Sequence, residues 1–217
     1  MRLAYMAALV VLGLAGCSER ASQAQGNGTV LLVMGDSLSA GYGLADPATG
    51  WVNGLDKKLR QDFFLRPSQV VANASVSGET TAGGLARLPD LLEEKDPGVV
   101  VIELGANDAL RHQPMGQMEH NLKEMINLSK KSGARVVLVG VRLPGLMNLV
   151  GGGKLEETYE KVAADSDVPL AWYPWDDLVD EEGMMQEDRL HPTDKAQKPI
   201  MEALEEPIRD ALGKDGS

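Results

Sequence analysis

Three side chains in this sequence have the types and spacing to move an acyl group. Ser37 lies in Gly35-Asp36-Ser37-Leu38-Ser39, and the run Asp188-Arg189-Leu190-His191-Pro192 sets a carboxylate three residues before a histidine. A serine hydroxyl is a weak nucleophile at neutral pH and needs a base within hydrogen-bond reach. His191 is the candidate base. A carboxylate at the spacing of Asp188 can accept from the imidazole, orient it and stabilise the cation that forms, while Pro192 fixes the chain just after. His112 and His120 stand among polar residues in or near a helix and read as solvated. Two further segments, Asn73-Ala74-Ser75-Val76-Ser77-Gly78-Glu79-Thr80 and Gly105-Ala106-Asn107-Asp108, add glycines and a carboxamide. A hydroxyl, glycines, a carboxamide and an Asp/His pair are the parts of an acyl-transfer site.

Each segment also has a plainer reading. Ser37 fits a helix cap or turn, Asn107-Asp108 a turn and N-cap pair, and Asp188 with His191 a surface ion pair. What favours chemistry is their common address. Near-continuous apolar runs at Val30–Met34, Gln69–Ala72, Val99–Leu104, Arg135–Val141 and Pro169–Tyr173 read as strands buried on both faces. Amphipathic stretches at about 50–63, 80–94, 115–132 and 154–165, and a last one from near Thr193, read as helices long enough for right-handed crossovers. In the 115–132 stretch, Met118, Leu122, Met125, Ile126 and Ser129 form one stripe opposite Glu, Lys and Asn. Five strands alternating with helices predict an open, parallel, doubly wound α/β sheet, a flavodoxin-like three-layer α/β/α sandwich. Ligands in such sheets sit beyond the carboxyl ends of the strands, where all four segments fall. The acidic run Asp176–Glu182 reads as a solvated loop or short helix.

Composition narrows the partners. With 217 residues the chain suits one domain, and 43% hydrophobic with 24% charged residues excludes wholesale disorder. Aromatics are only 4%, so Val, Leu, Ala and the 10 Met must build most of the core. A net charge of −11 argues against nucleic acid, whose phosphates need a basic footprint. One cysteine forbids an internal disulfide and, with three histidines, argues against a Cys/His zinc site. The Gly-x-Ser-x-Gly elbow fails because position 39 is serine, and Gly41-Tyr42-Gly43 does not make a phosphate-binding loop.

The four segments together resemble the SGNH, or GDSL-type, hydrolase superfamily, from about Val30 to Leu212. Gly35-Asp36-Ser37-Leu38-Ser39 resembles its first block, Ser77-Gly78-Glu79-Thr80 its second, Gly105-Ala106-Asn107-Asp108 its third and Asp188-Arg189-Leu190-His191-Pro192 its last. The resemblance implies Ser37 as nucleophile, Asp188 and His191 as the rest of a triad, and an oxyanion hole. Its donors would be the backbone N–H groups of Ser37 and Gly78 and the side-chain amide of Asn107. Within the superfamily the chain is most similar to the periplasmic multifunctional thioesterase I, lysophospholipase and arylesterase group. The similar pieces are Gly35 to Tyr42, Ala72–Pro89, Glu103–Asp108 and Val141–Pro144. The implied activity is hydrolysis of acyl esters and thioesters, with no metal or organic cofactor. One departure is Leu146, Met147, Leu149 and Val150 with three glycines behind them, where that group is usually more polar. These four read as lining an acyl groove, or as capping the core. Rival readings are a carbohydrate O-deacetylase of the cell envelope in the same fold, which would want a small polar acyl pocket, and a non-catalytic lipid-binding lipoprotein, expected to lack a triad member.

The N-terminus stands apart. From Leu3 to Leu14 every residue is apolar or small, a run too short to span a bilayer and shaped like a secretory core segment. It ends in Leu14-Ala15-Gly16-Cys17, which resembles a bacterial lipoprotein signal and implies cleavage before Cys17 and acylation of its thiol. The alternative is an ordinary signal cut after Ser22-Gln23-Ala24. The expected layout is a leader at 1–16, a flexible tether at 17–28 and a hydrolase domain at 29–213. A lipidated Cys17 would hold the protein to a membrane facing the periplasm, and Ser18, in place of aspartate, points to the outer one. The alternative is a soluble periplasmic protein.

Overall fold

The runs richest in valine and leucine become the middle of one parallel sheet. The computed structural model describes residues 29–143 and 152–213. Its strands are β1 (Thr29–Gly35), β2 (Val70–Asn73), β3 (Val99–Glu103), β4 (Arg135–Gly140) and β5 (Leu170–Trp172). They pair in parallel in the order β2-β1-β3-β4-β5, with Leu32 opposite Val100 and Val100 opposite Val136. Every residue of β3 is buried, as are Leu31–Met34 of β1 and all of β4 after Arg135. Such strands can be apolar throughout because helices cover both faces. β2 departs from that expectation: it is an edge strand, and Val70 is 48% exposed.

The helices are α1 (Ser37–Ala40), α2 (Trp51–Gln61), α3 (Thr81–Lys95), α4 (Ala106–Leu110), α5 (Met115–Lys131), α6 (Gly152–Ser166), α7 (Trp175–Val179) and α8 (Gln197–Leu212). The chain steps from β1 to β2, then reverses past β1 to β3 and onward to β5. Right-handed crossovers send helices to opposite faces when the direction reverses. Accordingly α2 packs with α8 on one face, and α3, α5 and α6 pack side by side on the other. The α5 stripe of Met118, Leu122, Met125, Ile126 and Ser129 is buried as expected.

The long elements lie within one or two residues of the expected ends, and α8 is preceded by a 3-10 turn, Asp194–Ala196. α1, α4 and α7 were not expected as defined helices, except that a short helix was one option for the acidic run. Four or five residues are too few to show an apolar period. The leader, Cys17, the tether, and Leu146, Met147, Leu149 and Val150 lie outside the described residues. Among the described residues no helix is long and apolar enough to cross a membrane.

Candidate active site

The reversal of strand order puts a crevice at the carboxyl ends of β1 and β3. Ser37 comes two residues after the end of β1, and Asn107 four after the end of β3. Asp36 makes the first turn: it caps α1, its Oδ1 accepting from Leu38 N at 3.0 Å. Ser37 is the first residue of α1, so its N–H lies outside the intrahelical hydrogen bonds, as at any helix start. Gly35 must be glycine here. A Cβ on it would come within 2.7 Å of Ser39 Oγ and 2.8 Å of Glu103 Oε2.

The Asp188–His191 segment is shaped by its own carboxylate. Asp188 Oδ1 accepts from the backbone N–H groups of Leu190 (2.9 Å) and His191 (3.0 Å), which folds the four residues into a tight turn. Arg189 takes a left-handed φ of 53° within it. The other oxygen, Oδ2, is then 2.6 Å from His191 Nδ1. With Nδ1 as donor, Nε2 is the acceptor, and it lies 2.9 Å from Ser37 Oγ. Burial alone would push Asp188 up, but the His191 side chain and the two N–H groups outweigh it and hold the carboxyl below its ordinary value. An ionised Asp188 fixes the tautomer that leaves Nε2 free to receive a proton.

Two residues that sequence reasoning gave no role anchor this turn. Gln186 Nε2 donates to both Tyr42 O and Pro192 O at 2.9 Å. The Tyr42 ring lies 4.5 Å from the His191 ring at a 43° tilt. His112 and His120 are exposed, as expected for solvated side chains.

The other two segments meet the crevice from the far side. Gly78 sits in a turn with φ of 78°, which suits glycine, and its carbonyl accepts from Arg111 Nη2 at 2.7 Å. Asn107 is the second residue of α4, and its Nδ2 donates to Asp36 Oδ2 at 2.8 Å. Ser37, Gly78, Asn107 and His191 line one cleft of about 290 Å³, and Asp188 stands directly behind His191. Leu110, Val141, Leu143, Trp175 and Leu190 also line the cleft and give it an apolar wall. The five sequence-predicted site residues are thus brought together. A hydroxyl in hydrogen-bond contact with an oriented imidazole, opposite a carboxamide and a helix start, can form and stabilise a tetrahedral acyl adduct.

Beneath the site lies an unexpected pair of buried carboxyls. Asp36 is 1% exposed and Glu103, the last residue of β3, is fully buried. Glu103 Oε2 accepts from Ser39 Oγ at 2.7 Å and from Asp36 N at 3.4 Å, while its Oε1 has no partner among the described residues. Burial, and then the charge of Asp36, push Glu103 well above the ordinary carboxylate range. Burial also raises Asp36, to about 6, against the hydrogen bonds of Leu38 N and Asn107. Glutamate ending an otherwise apolar strand was the available signal, since charged residues are seldom fully buried.

Known proteins are similar to this chain over most of its length. The GDSL-like lipase/acylhydrolase family matches residues 33–198. Esterase TesA of Pseudomonas aeruginosa is 42% identical over 172 residues, 79% of this chain and 84% of that protein. The arylesterase of Vibrio mimicus is 40% identical over 91% of this chain and 95% of its own. Thioesterase 1/protease 1/lysophospholipase L1 of Escherichia coli is 35% identical over 85% and 86%. The crystal structure of the psychrotrophic esterase EstA from Pseudoalteromonas sp., inhibited by monoethylphosphonate, aligns with a TM-score of 0.78 and 34% identity, covering 86% of this chain and 100% of that one. With the sheet order, the crevice and these relatives in agreement, the chain belongs to the GDSL-like lipase/acylhydrolase family, and it is a serine hydrolase of carboxylic esters.

Proposed function

We propose that Ser37 attacks the acyl carbonyl, with His191 as its base and Asp188 as the orienting carboxylate. The observation that carries this reading is the continuous chain Ser37 Oγ to His191 Nε2 at 2.9 Å and His191 Nδ1 to Asp188 Oδ2 at 2.6 Å. As the Oγ–carbon bond forms, the serine proton passes to Nε2. The carbonyl oxygen takes up the negative charge, met by the N–H groups of Ser37 and Gly78 and by Asn107 Nδ2. Collapse of the adduct breaks the bond to the leaving alcohol or thiol, which takes the proton from His191. Water, deprotonated by the same imidazole, then attacks the acyl-enzyme, and Ser37 recovers its proton as the acid departs.

The substrates we assign are esters and thioesters of apolar acyl chains. The apolar wall of Leu110, Val141, Leu143, Trp175 and Leu190 favours an acyl tail over a small polar acetyl group, against the deacetylase reading. Relatives named as arylesterase and as thioesterase and lysophospholipase are consistent with both leaving-group classes. Leu146, Met147, Leu149 and Val150 follow Leu143 in sequence and would extend that wall. We assign residues 29–213 to the hydrolase domain and 1–28 to an export leader and tether, with Cys17 as lipid acceptor, on the strength of the leader's pattern alone.

A fluorophosphonate probe and a series of p-nitrophenyl esters test the catalytic assignment. The wild type should be labelled and active, and Ser37→Ala neither. Labelling that survives Ser37→Ala would remove Ser37 from the nucleophile role. For export, Cys17→Ser should shift the protein from the membrane fraction to the soluble one or block processing. An unchanged mass and fractionation would favour cleavage after Ala24.

A further inference from the structure

Asp36 does more than cap α1. Its two oxygens serve different partners: Oδ1 takes the Leu38 N–H at 3.0 Å, and Oδ2 takes one N–H of the Asn107 amide at 2.8 Å. The second N–H of Asn107 is on the same nitrogen, and Asn107 lines the cleft. If the amide turned over, its oxygen would replace that nitrogen toward both Asp36 and the developing oxyanion, and a donor would become a repelling acceptor. An asparagine amide has little intrinsic preference between the two orientations, so its neighbours decide. A carboxylate only accepts, and so it decides without ambiguity.

The charge state of the pair supports this. Glu103 is fully buried with Oε1 unpartnered, which an ionised carboxylate could sustain only at a large desolvation cost. Two carboxyls this close do not both ionise readily, and the one with more donors takes the charge. Asp36 receives N–H groups from Leu38 and Asn107, whereas Glu103 receives only Ser39 Oγ and a long contact from Asp36 N. The groups bearing charge on Asp36 are Glu103 from β3, Asp108 from α4 and His191 from the loop before α8.

We propose that Asp36 is a positioning residue for Asn107: its carboxylate admits only the nitrogen of the amide, prevents the amide from turning over, and so directs the second N–H at the oxyanion. Glu103, as a neutral acid, leaves the single charge of the pair on Asp36. The inference rests on the oxyanion role of Asn107 proposed above. Asparagine at position 36 would keep the shape but could offer Asn107 either a donor or an acceptor.

Steady-state kinetics on one p-nitrophenyl ester test it with Asp36→Asn, Asn107→Ala and the double variant, each checked for folding by thermal unfolding. Loss of one oxyanion donor lowers kcat on the order of 10²–10³-fold. Asp36→Asn should lower kcat at least ~10-fold toward that limit, with KM little changed. The double variant should be no slower than Asn107→Ala, because Asp36 acts through Asn107. A residue with a merely structural role would give losses that multiply. Such multiplying losses, or a kcat for Asp36→Asn within about twofold of wild type, would overturn the proposal. An Asn107→Ala variant with wild-type kcat would instead remove the oxyanion role beneath it. The wild type alone gives an independent reading by nitrogen-15 NMR. The Asn107 N–H bonded to Asp36 should be protected from exchange, and the amide should shift with one proton as Asp36 titrates. A rapidly exchanging, pH-indifferent amide overturns the proposal.

Discussion

Thr81 and Asp108 are joined twice: Thr81 N donates to Asp108 Oδ2 at 2.9 Å, and Thr81 Oγ1 donates to Asp108 Oδ1 at 2.6 Å. Both residues are buried, and Asn121 Nδ2 donates to the same hydroxyl at 3.0 Å. The pair ties the start of α3 to α4, and so fixes the distance between the Gly78 turn just before α3 and Asn107 within α4. The segments that carry the two proposed oxyanion donors, Gly78 and Asn107, are thus tied together through one carboxylate.

Asp108→Ala should therefore cost both stability and rate. It strands a buried N–H and a buried hydroxyl, each worth about 1–3 kcal/mol when unsatisfied. We expect a loss of about 2–5 kcal/mol in urea unfolding. At temperatures where the variant is folded, kcat should fall further than KM rises, because the misplaced groups bind the transition state and not the substrate. A folded Asp108→Ala protein with normal kcat would show that the Gly78 turn is held by other contacts, such as Arg111.

His191 is the one histidine whose loss should silence the enzyme. Its Nε2 contacts Ser37, whereas His112 and His120 are exposed. His191→Ala should lower kcat/KM by several orders of magnitude, and His112→Ala and His120→Ala should leave it within about twofold. Asp188→Asn should fall between these. It keeps the shape of the turn but gives the imidazole an uncharged, ambiguous partner. An inactive His112→Ala protein that is still folded would mean the wrong base has been chosen.

The parts of the site that could be read in the sequence are those whose geometry is local. Asp188 and His191 are three residues apart and the carboxylate builds the turn that joins them, so type and spacing suffice. Ser37 and Asn107 were readable because apolar runs announced β1 and β3, and topology put both strand ends at one crevice. The contacts that hold the site together join distant residues. Asp36 meets Glu103 across 67 positions and Gln186 meets Tyr42 across 144, and no periodicity encodes either. The short helices α1 and α4 are not legible for a related reason, and α7 only as one option for the acidic run: four or five residues cannot repeat an apolar face, and only α1 has a side-chain cap, from Asp36. β2 read as a buried strand because its residues are apolar, yet edge position is a property of strand order and not of the strand.

The buried carboxyl pair should make the protein more stable in mild acid than its surface charges alone would. Asp36 is raised by burial from an ordinary 3.8 to about 6, so the folded state holds its proton more tightly than the unfolded chain does. Between those values the folded state binds more protons, and stability falls as pH rises, then levels off above about 6. The contribution lost across that window is about 3 kcal/mol, at 1.36 kcal/mol per unit. Glu103 is raised in the same direction. Asp188, held below its ordinary value, and Asp165, lowered to about 2 by Lys123 and Lys161, act oppositely, adding stability as pH rises. The informative quantity is therefore the difference between wild type and Asp36→Asn. The variant should gain up to about 3 kcal/mol over wild type at pH 8, and the gain should vanish below pH ~4. A stabilised but slower enzyme is the expected signature of a charge kept buried for function. A pH-independent difference would mean that Asp36 is not the titrating group.

The apolar wall makes the last prediction quantitative. Leu143 is 5% exposed and lines the cleft with Leu110, Val141, Trp175 and Leu190, so the tail of an acyl group on the proposed nucleophile Ser37 Oγ can be desolvated against it. Burying a methylene is worth about 0.8 kcal/mol, so each added carbon should raise kcat/KM by up to about fourfold while the tail remains in contact. Medium-chain esters should then be hydrolysed faster than acetate, and the gain should stop where the tail passes the end of the wall. Leu143→Ala removes part of that surface without touching the Ser37, His191 or Asn107 side chains. It should flatten the dependence on chain length while leaving acetate hydrolysis nearly unchanged. A p-nitrophenyl series from acetate to palmitate measures both slopes. If Leu143→Ala slows acetate and octanoate equally, Leu143 supports the fold and not the acyl chain. If the wild type prefers acetate, the wall is not an acyl site, and removal of small acyl groups from envelope carbohydrate becomes the better reading.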